Sequence, residues 1–367
     1  MKILHVVNSL DPGGMENGVV NLARSLAARG FENHVACLER RGAFVERLPA
    51  STQVLLLGKH GGFSPLAAWR LAQGIARLRP DIVHSHNLGP LIYSGLATLG
   101  GRRCALVQGE HSQLTEEEQQ PRRLRQRRWL YRGCRAIHTV STTQREELLA
   151  CGFPADKITA IANGVDTEHF LPGEKAAARR ALALSANALC IGIVGRFGSY
   201  KRHAQLLDAF EQIAPQFTNL HLLIAGSGGS EQTVTIERAR TSSIHARIHL
   251  LGFQPDPRVC YQALDLLVIP SVNEGLSNAA LEAMACGVPV LARSGCGHEQ
   301  IITHGVDGWI APLDSSADLA TGLTEILAEP SRLVDFGRDA RKKVAAHFSL
   351  ESMINAYEHL YRACAPR

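Results

Sequence analysis

Short apolar runs alternate with amphipathic stretches along the whole chain. Ile3 to Val7 is a run of the first kind. Glu16 to Ala28 is of the second, with Val19, Val20, Leu22, Ala23 and Leu26 on one side. Apolar runs recur at 34–38, 54–57, 81–85, 105–108 and 136–140, and helical stretches at roughly 65–78, 90–99, 121–133 and 142–150. After a turn signal at Asn163-Gly164-Val165-Asp166 and a linker with a short helix, the plan starts again. Strands are expected at 190–194, 220–225, 247–250, 264–269 and 288–292, and a helix at 203–214. The tail from Ser315 reads as helical, in pieces separated near Pro330 and Ser349. Such alternation predicts parallel sheets covered on both faces. The fold expected is α/β: two Rossmann-like domains in tandem, with ligands at the carboxyl ends of the strands and a cleft between them.

The richest stretch reads PSVNEGLSNAALEAMACGVPV, from Pro270 to Val290. A strand ends, a loop carries Glu274 and Gly275, and a run of good helix formers begins at Asn278. Ser277 or Asn278 suits the N-cap, and Gly287 with Pro289 behind it suits the stop. The free N–H groups of that helix start can hold an anion. Glu282 lies about one turn further in. Two glutamates flanking an anion site fit hydroxyl recognition at opposite ends of one ligand; a solvated helix glutamate and a loop glutamate are the plain alternative.

Other motifs carry less on their own. Gly195-Arg196-Phe197-Gly198-Ser199-Tyr200-Lys201 follows one strand and precedes a helix, and its two cations suit a diphosphate. It is not a Walker A loop. Gly226-Ser227-Gly228-Gly229 fails the dinucleotide fingerprint, because residue 231 is glutamate, and reads as a tight turn. Gly13 and Gly14 admit a phosphate or acceptor, or simply turn the chain. His84 and His86 alternate along one strand and His111 follows the next, without a carboxylate at ligand spacing, so no zinc site is expected. An Asp-x-Asp metal motif is also absent.

At 367 residues the chain exceeds what one core supports. The net charge of +5 is uneven: residues 1–170 hold 21 lysines and arginines against 15 acids, and the remainder 18 against 19. Much of the surplus sits in PRRLRQRRWLYRGCR, from Pro121 to Arg135, with seven arginines around Trp129 and Tyr131. That run suits an anionic membrane surface. It also admits nucleic acid, or a solvated face balanced by Glu116, Glu117 and Glu118. The nine scattered cysteines, with no C-x-x-C pair, and the lack of a leader or a spanning segment point to a reduced, cytoplasmic chain.

Taken together, Gly13-Gly14 with Glu16, DIVHSH, His111, the NGVD turn, GRFGSYK and EGLSNAALEAMACGVPV resemble, in this order, the retaining GT-B glycosyltransferases of the E-x7-E family. The narrower likeness is to bacterial exopolysaccharide sugar transferases, including those associated with exosortase systems. The resemblance implies an acceptor-side domain at 1–170, a nucleotide-sugar domain at 171–348 and a helix at 349–367 crossing back to the first. It puts Glu274 at the donor sugar with Gly275, Leu276, Ser277 and Asn278, and Glu282 on the ribose. Arg196 and Lys201 would hold the diphosphate without a metal, and no cofactor is needed beyond the nucleotide sugar. His111 would lie near the reacting carbon and Gly14 by the phosphates or acceptor. One departure is Arg202, where many members have glycine. The expected donor is a UDP- or GDP-sugar and the acceptor a glycan or lipid-linked glycan, at the inner face of the bacterial plasma membrane, with no nucleic acid involved. The rival readings are a nucleotide-sugar epimerase of the same plan, and a nucleic-acid-binding protein using Arg122 to Arg135.

Overall fold

The computed structural model describes residues 1–101 and 104–365. Arg102 and Arg103 lie outside them, as do Pro366 and Arg367 at the end of the expected crossing segment. Contacts divide the chain into a first unit, 1–163 with 351–367, and a second, 164–350.

The first unit carries β1 (Lys2–Val7), α1 (Gly14–Ala28), β2 (Glu32–Cys37), β3 (Val54–Leu56), α2 (Pro65–Leu78), β4 (Ile82–His86), α3 (Leu88–Ala97), β5 (Ala105–Glu110), α4 (Pro121–Arg132), β6 (Ala136–Thr139), α5 (Thr142–Ala150) and β7 (Ile158–Ala160). All seven strands are parallel, in the order β3-β2-β1-β4-β5-β6-β7. One face is a continuous apolar core: Leu4, Val6, Val83, Leu106 and Ile137 meet Leu71, Leu91 and Leu130 of the covering helices. On the other face Val7, Val35 and Cys37 pack on Val19 and Val20 of α1. Alternation along the strands sends His5, His84, His86 and His138 to this second face, where all four are buried.

The second unit runs α6 (Lys175–Ala181), β8 (Leu189–Val194), α7 (His203–Ile213), β9 (Leu220–Ala225), α8 (Gln232–Thr241), β10 (Ile248–Gly252), α9 (Arg258–Ala263), β11 (Leu266–Ile269), α10 (Asn278–Ala285), β12 (Val290–Arg293), β13 (Gly308–Ala311), α11 (Ser316–Leu327) and α12 (Pro330–His347). Its sheet is again parallel, in the order β10-β9-β8-β11-β12-β13. The last helix, α13 (Leu350–Cys364), buries Met353, Ile354, Tyr357 and Tyr361 and, from residue 351 on, belongs by its contacts to the first unit.

Most expected elements are present within a few residues of their predicted ends. The strands at 158–160 and 308–311 and the helices α8 and α9 are additions. Each is short or weakly patterned: β7 has three residues with Thr159 exposed, and α8 buries only Thr235 and Ala239. The seven arginines of 121–135 do not form one solvated face. Arg127 is buried and donates to Glu110 (3.1 Å) and Glu118 (3.2 Å), with Tyr131 beside it. Trp129 stays exposed. No helix among the described residues is long and apolar enough to cross a membrane. The nine cysteines are free thiols, eight buried and Cys151 half-buried.

Candidate functional site

In the second unit the strand order reverses between β8 and β11, so the loops leaving their carboxyl ends run side by side. That switch point is where open α/β sheets bind ligands. The first loop, 195–202, ends in a 3-10 turn over Ser199–Lys201. The second, 270–277, leads into α10. A backbone bond from Val272 N–H to Tyr200 O (2.8 Å) ties the two together.

The Lys201 ammonium is thereby set on the Glu274 carboxylate, forming an ion pair and hydrogen bond. Glu274 is 8% exposed and Lys201 17%. Burial alone would raise the Glu274 carboxyl. The Lys201 charge, helped by His298 with its Nε2 4.0 Å away, outweighs burial and holds the carboxyl down at about 2. Asn273 reaches this position by taking a left-handed conformation, φ +60°, which asparagine tolerates better than most residues. Glu274 is therefore a fixed carboxylate at neutral pH and unsuited to donating a proton.

Gly275, Leu276 and Ser277 are buried behind it, and Asn278 is half-buried. Ser277 takes the N-cap position, as expected, but its side chain makes no cap hydrogen bond. The first-turn N–H groups of α10 have no intrahelical acceptor. The far end closes by a Schellman motif, with Val288 N–H on Ala283 O (2.9 Å), Gly287 N–H on Met284 O (3.0 Å) and Gly287 at φ +76°. One turn into the helix the Glu282 carboxylate accepts from the buried Tyr261 hydroxyl at 2.7 Å. Tyr261 and His298 were invisible as site residues in the sequence, since neither lies in a motif.

Arg196 is exposed and has no ion-pair partner among the described residues. The turn after β9 acts as a brace for its loop. Gly226 lies so close to the Gly195 carbonyl that a Cβ would overlap it, and Phe197 N–H donates to Gly228 O at 2.7 Å. Arg202 adopts the left-handed conformation, φ +57°, in which glycine is at ease. Its guanidinium donates to Leu313 O at 3.1 Å.

The remaining expected site residues, Gly14 and His111, belong to the first unit. Both line one pocket there, with Gly18, His86, Asn163 and Tyr357. Gly14 opens α1, whose N-cap Gly13 offers no side-chain bond. Asn87 Oδ1 accepts from the His111 backbone N–H at 3.0 Å, and the His111 ring meets His86 at 2.9 Å. Burial lowers the His111 pKa to about 4, so the ring is neutral at pH 7. The sequence pattern did not anticipate that His5, His84 and His86 would bring three imidazole nitrogens within 4.8 Å of one another.

Comparison with known proteins bears on the family and the fold. The description Glycosyltransferase Family 4 matches residues 12–169, and Glycosyl transferases group 1 matches residues 174–343. The D-inositol 3-phosphate glycosyltransferase 2 of Catenulispora acidiphila is 28% identical over 98% of this chain and 92% of its own. The D-inositol 3-phosphate glycosyltransferase of Rhodococcus jostii is 27% identical over 96% and 85%. Among solved structures, Anabaena HepE in complex with UDP and glucose superposes with a TM-score of 0.86 at 22% identity, covering 99% of this chain and 100% of that one. Sucrose-phosphate synthase of Thermosynechococcus elongatus gives 0.81 at 22%, covering 99% and 98%. With both halves matched in order and the GT-B fold in place, the chain belongs to the family 4, group 1 glycosyltransferases, retaining enzymes that transfer a sugar from a nucleotide-sugar donor.

Proposed function

We propose that this transferase moves a hexose from a UDP- or GDP-sugar to a glycan or lipid-linked acceptor in cell-surface polysaccharide synthesis, of the exopolysaccharide and exosortase-associated kind. The observation that carries the reading is the Lys201–Glu274 pair beside the N-terminus of α10, with Glu282 held one turn in. Glu274 meets the donor sugar, and the backbone from Gly275 to Asn278 supports it. Glu282, oriented by Tyr261, takes the ribose hydroxyls. Lys201 and the exposed Arg196 balance the diphosphate as it leaves, with no metal required. UDP is favoured as the nucleotide by the likeness to HepE, solved with UDP and glucose.

Retention places the attacking hydroxyl and the leaving phosphate on one face of the sugar. The departing phosphate helps take the acceptor proton, through an oxocarbenium-like transition state. The cations and the helix start act by preorganised charge stabilisation. His111, neutral and in a pocket with Gly14, serves the reacting end of the donor.

Calorimetric titration with UDP and GDP, followed by a sugar-nucleotide panel with and without acceptor, tests the reading. Binding of one nucleotide and acceptor-dependent turnover are expected. Donor conversion that needs no acceptor would favour an epimerase. Arg196→Ala should lower turnover at least about tenfold; near-normal turnover would remove Arg196 from the site.

Peripheral docking on an anionic membrane from the cytoplasmic side is part of the same proposal. The exposed Trp129 and its neighbouring exposed arginines support it. Charge reversal at Arg125 and Arg128 should abolish co-sedimentation with anionic liposomes. Arg127 is left out because it is internal. Sedimentation unchanged by those reversals would remove the membrane from the proposal.

A further inference from the structure

The 3-10 turn His298–Gln300, after β12, brings a second side chain to the Glu274 carboxylate. His298 is fully buried, and its Nδ1 lies 3.0 Å from the Arg293 carbonyl oxygen. A carbonyl can only accept, so Nδ1 carries a proton and donates it there. In the neutral ring Nε2 is then a bare lone pair. It is buried without a hydrogen-bond partner among the described residues, and it stands 4.0 Å from Glu274 Oε2. Two acceptors thus face each other across a gap somewhat too wide for a hydrogen bond. A single proton would join them.

Lys201 keeps that proton away. Its ammonium sits on Oε1, the other oxygen of the same carboxylate. Burial lowers the His298 pKa and the Lys201 charge adds to the effect. Glu274, the bond to the Arg293 carbonyl and the adjacent Glu299 work the other way, and the balance lies below the ordinary 6.5. The Arg293 guanidinium is paired with Asp314. His298 is therefore neutral at pH 7 beside a carboxylate whose charge is already matched. Lys201 has only one ammonium, however. In the reading above it serves Glu274 in the free protein and the diphosphate in the donor complex. An arriving diphosphate draws on the Lys201 charge and adds negative charge of its own. Both changes favour a proton on His298.

We propose that donor binding draws a proton from solvent into the gap between His298 Nε2 and Glu274 Oε2, so that His298 takes over as the counter-charge of Glu274 while Lys201 turns to the diphosphate. His298 is thus a positioning residue, which holds Glu274 at the donor sugar while its ion pair is loosened. The linkage has a definite sign. The complex holds the proton more tightly than the free protein does, so the proton strengthens donor binding by the same factor. Donor affinity should fall as the pH rises through the pKa of His298 in the complex, by up to about tenfold per pH unit. The inference rests on the placement of the diphosphate at Lys201, but binding and proton count are read separately.

Calorimetric titration of the full-length protein with UDP-glucose, repeated at about pH 6.5 in buffers of different ionisation heat, counts the protons taken up per donor bound. UDP-glucose is the probe because its diphosphate, unlike that of UDP, has no group titrating near neutrality. The wild type should take up a proton and bind about fivefold more tightly near pH 6 than near pH 7.5. His298→Asn keeps an amide N–H for the Arg293 carbonyl and cannot titrate. It should show no uptake and a donor affinity independent of pH over that range. A purely structural role for His298 would weaken binding equally at every pH and leave the proton count as in the wild type. A wild-type complex formed without proton uptake overturns the proposal, as does wild-type uptake in a folded His298→Asn protein. Should His298→Asn not fold, 15N-histidine spectra of the wild type decide. On addition of UDP-glucose a ring protonated only at Nδ1 must become protonated at both nitrogens, and spectra without that change overturn the proposal. Failure of UDP-glucose and GDP-mannose alike to bind would instead refute the donor-site reading, and this inference with it.

Discussion

Replacing Lys201 by alanine removes the charge that keeps a buried carboxylate ionised. Glu274 is 8% exposed and is held at about 2, against an ordinary value of 4.5. At about 1.4 kcal/mol per pH unit, the displacement amounts to about 3 kcal/mol of stability at neutral pH. Direct removal of one member of a buried pair costs a similar 3–5 kcal/mol. For a unit the size of residues 164–350, that is a fall in melting temperature of about 10 °C.

The pH dependence gives the sharper test. In the wild type the folded value lies below the unfolded one. The contribution is fully present above about pH 4.5 and fades as the pH falls toward 2. In Lys201→Ala the carboxyl keeps His298 and Ser271 beside it but no fixed charge, and burial pushes it above the unfolded value. The variant's deficit should therefore be greatest near neutrality, begin to narrow above pH 4.5 as the stranded carboxylate takes up a proton, and go on narrowing toward pH 2 as the wild-type contribution fades. Adding Glu274→Gln removes the stranded charge and should recover most of the stability, while turnover stays at least about tenfold down. Thermal unfolding from pH 3 to 7, alongside donor turnover, reads both. A deficit independent of pH, or a double variant no more stable than the single, would refute the reasoning.

Three further outcomes follow from the same geometry. Tyr261→Phe deletes the hydroxyl that orients Glu282 and should weaken UDP binding about fivefold by calorimetry, with kcat little changed. Arg202→Gly should stay within about 1 kcal/mol of wild type in chemical denaturation, because relief of the left-handed strain offsets the lost bond to Leu313; Arg202→Val should cost about 2 kcal/mol. Arg127→Leu strands Glu110 in the interior and should cost about 3–5 kcal/mol, whereas Arg125→Leu, on the exposed side of α4, should change stability by less than about 0.5 kcal/mol.

Local pattern alone carried the architecture a long way. The apolar runs marked eleven of the thirteen strands among the described residues, because a parallel strand covered on both faces is largely apolar along its length. The spacing of Glu274 and Glu282 around a helix start left a plain alternative open, and it was the order of the motifs, through their resemblance to a known family, that implied a nucleotide-sugar transferase of two Rossmann-like domains. Helix ends were legible where Gly287 and the residues around it supplied the stop.

The tertiary structure decided which side chains meet. Nothing near Lys201 in sequence names Glu274, 73 residues away, as its partner. The pairing follows from the reversal of strand order, which lays the loops after β8 and β11 side by side. Arg127 looked like one cation among seven, and only the packing of α4 on β5 turns it inward onto Glu110. His5, His86 and His111 come from two strands and one loop, and sequence could not join them. A charge or an imidazole acquires its state from burial and from the partner facing it, and both are properties of the folded chain.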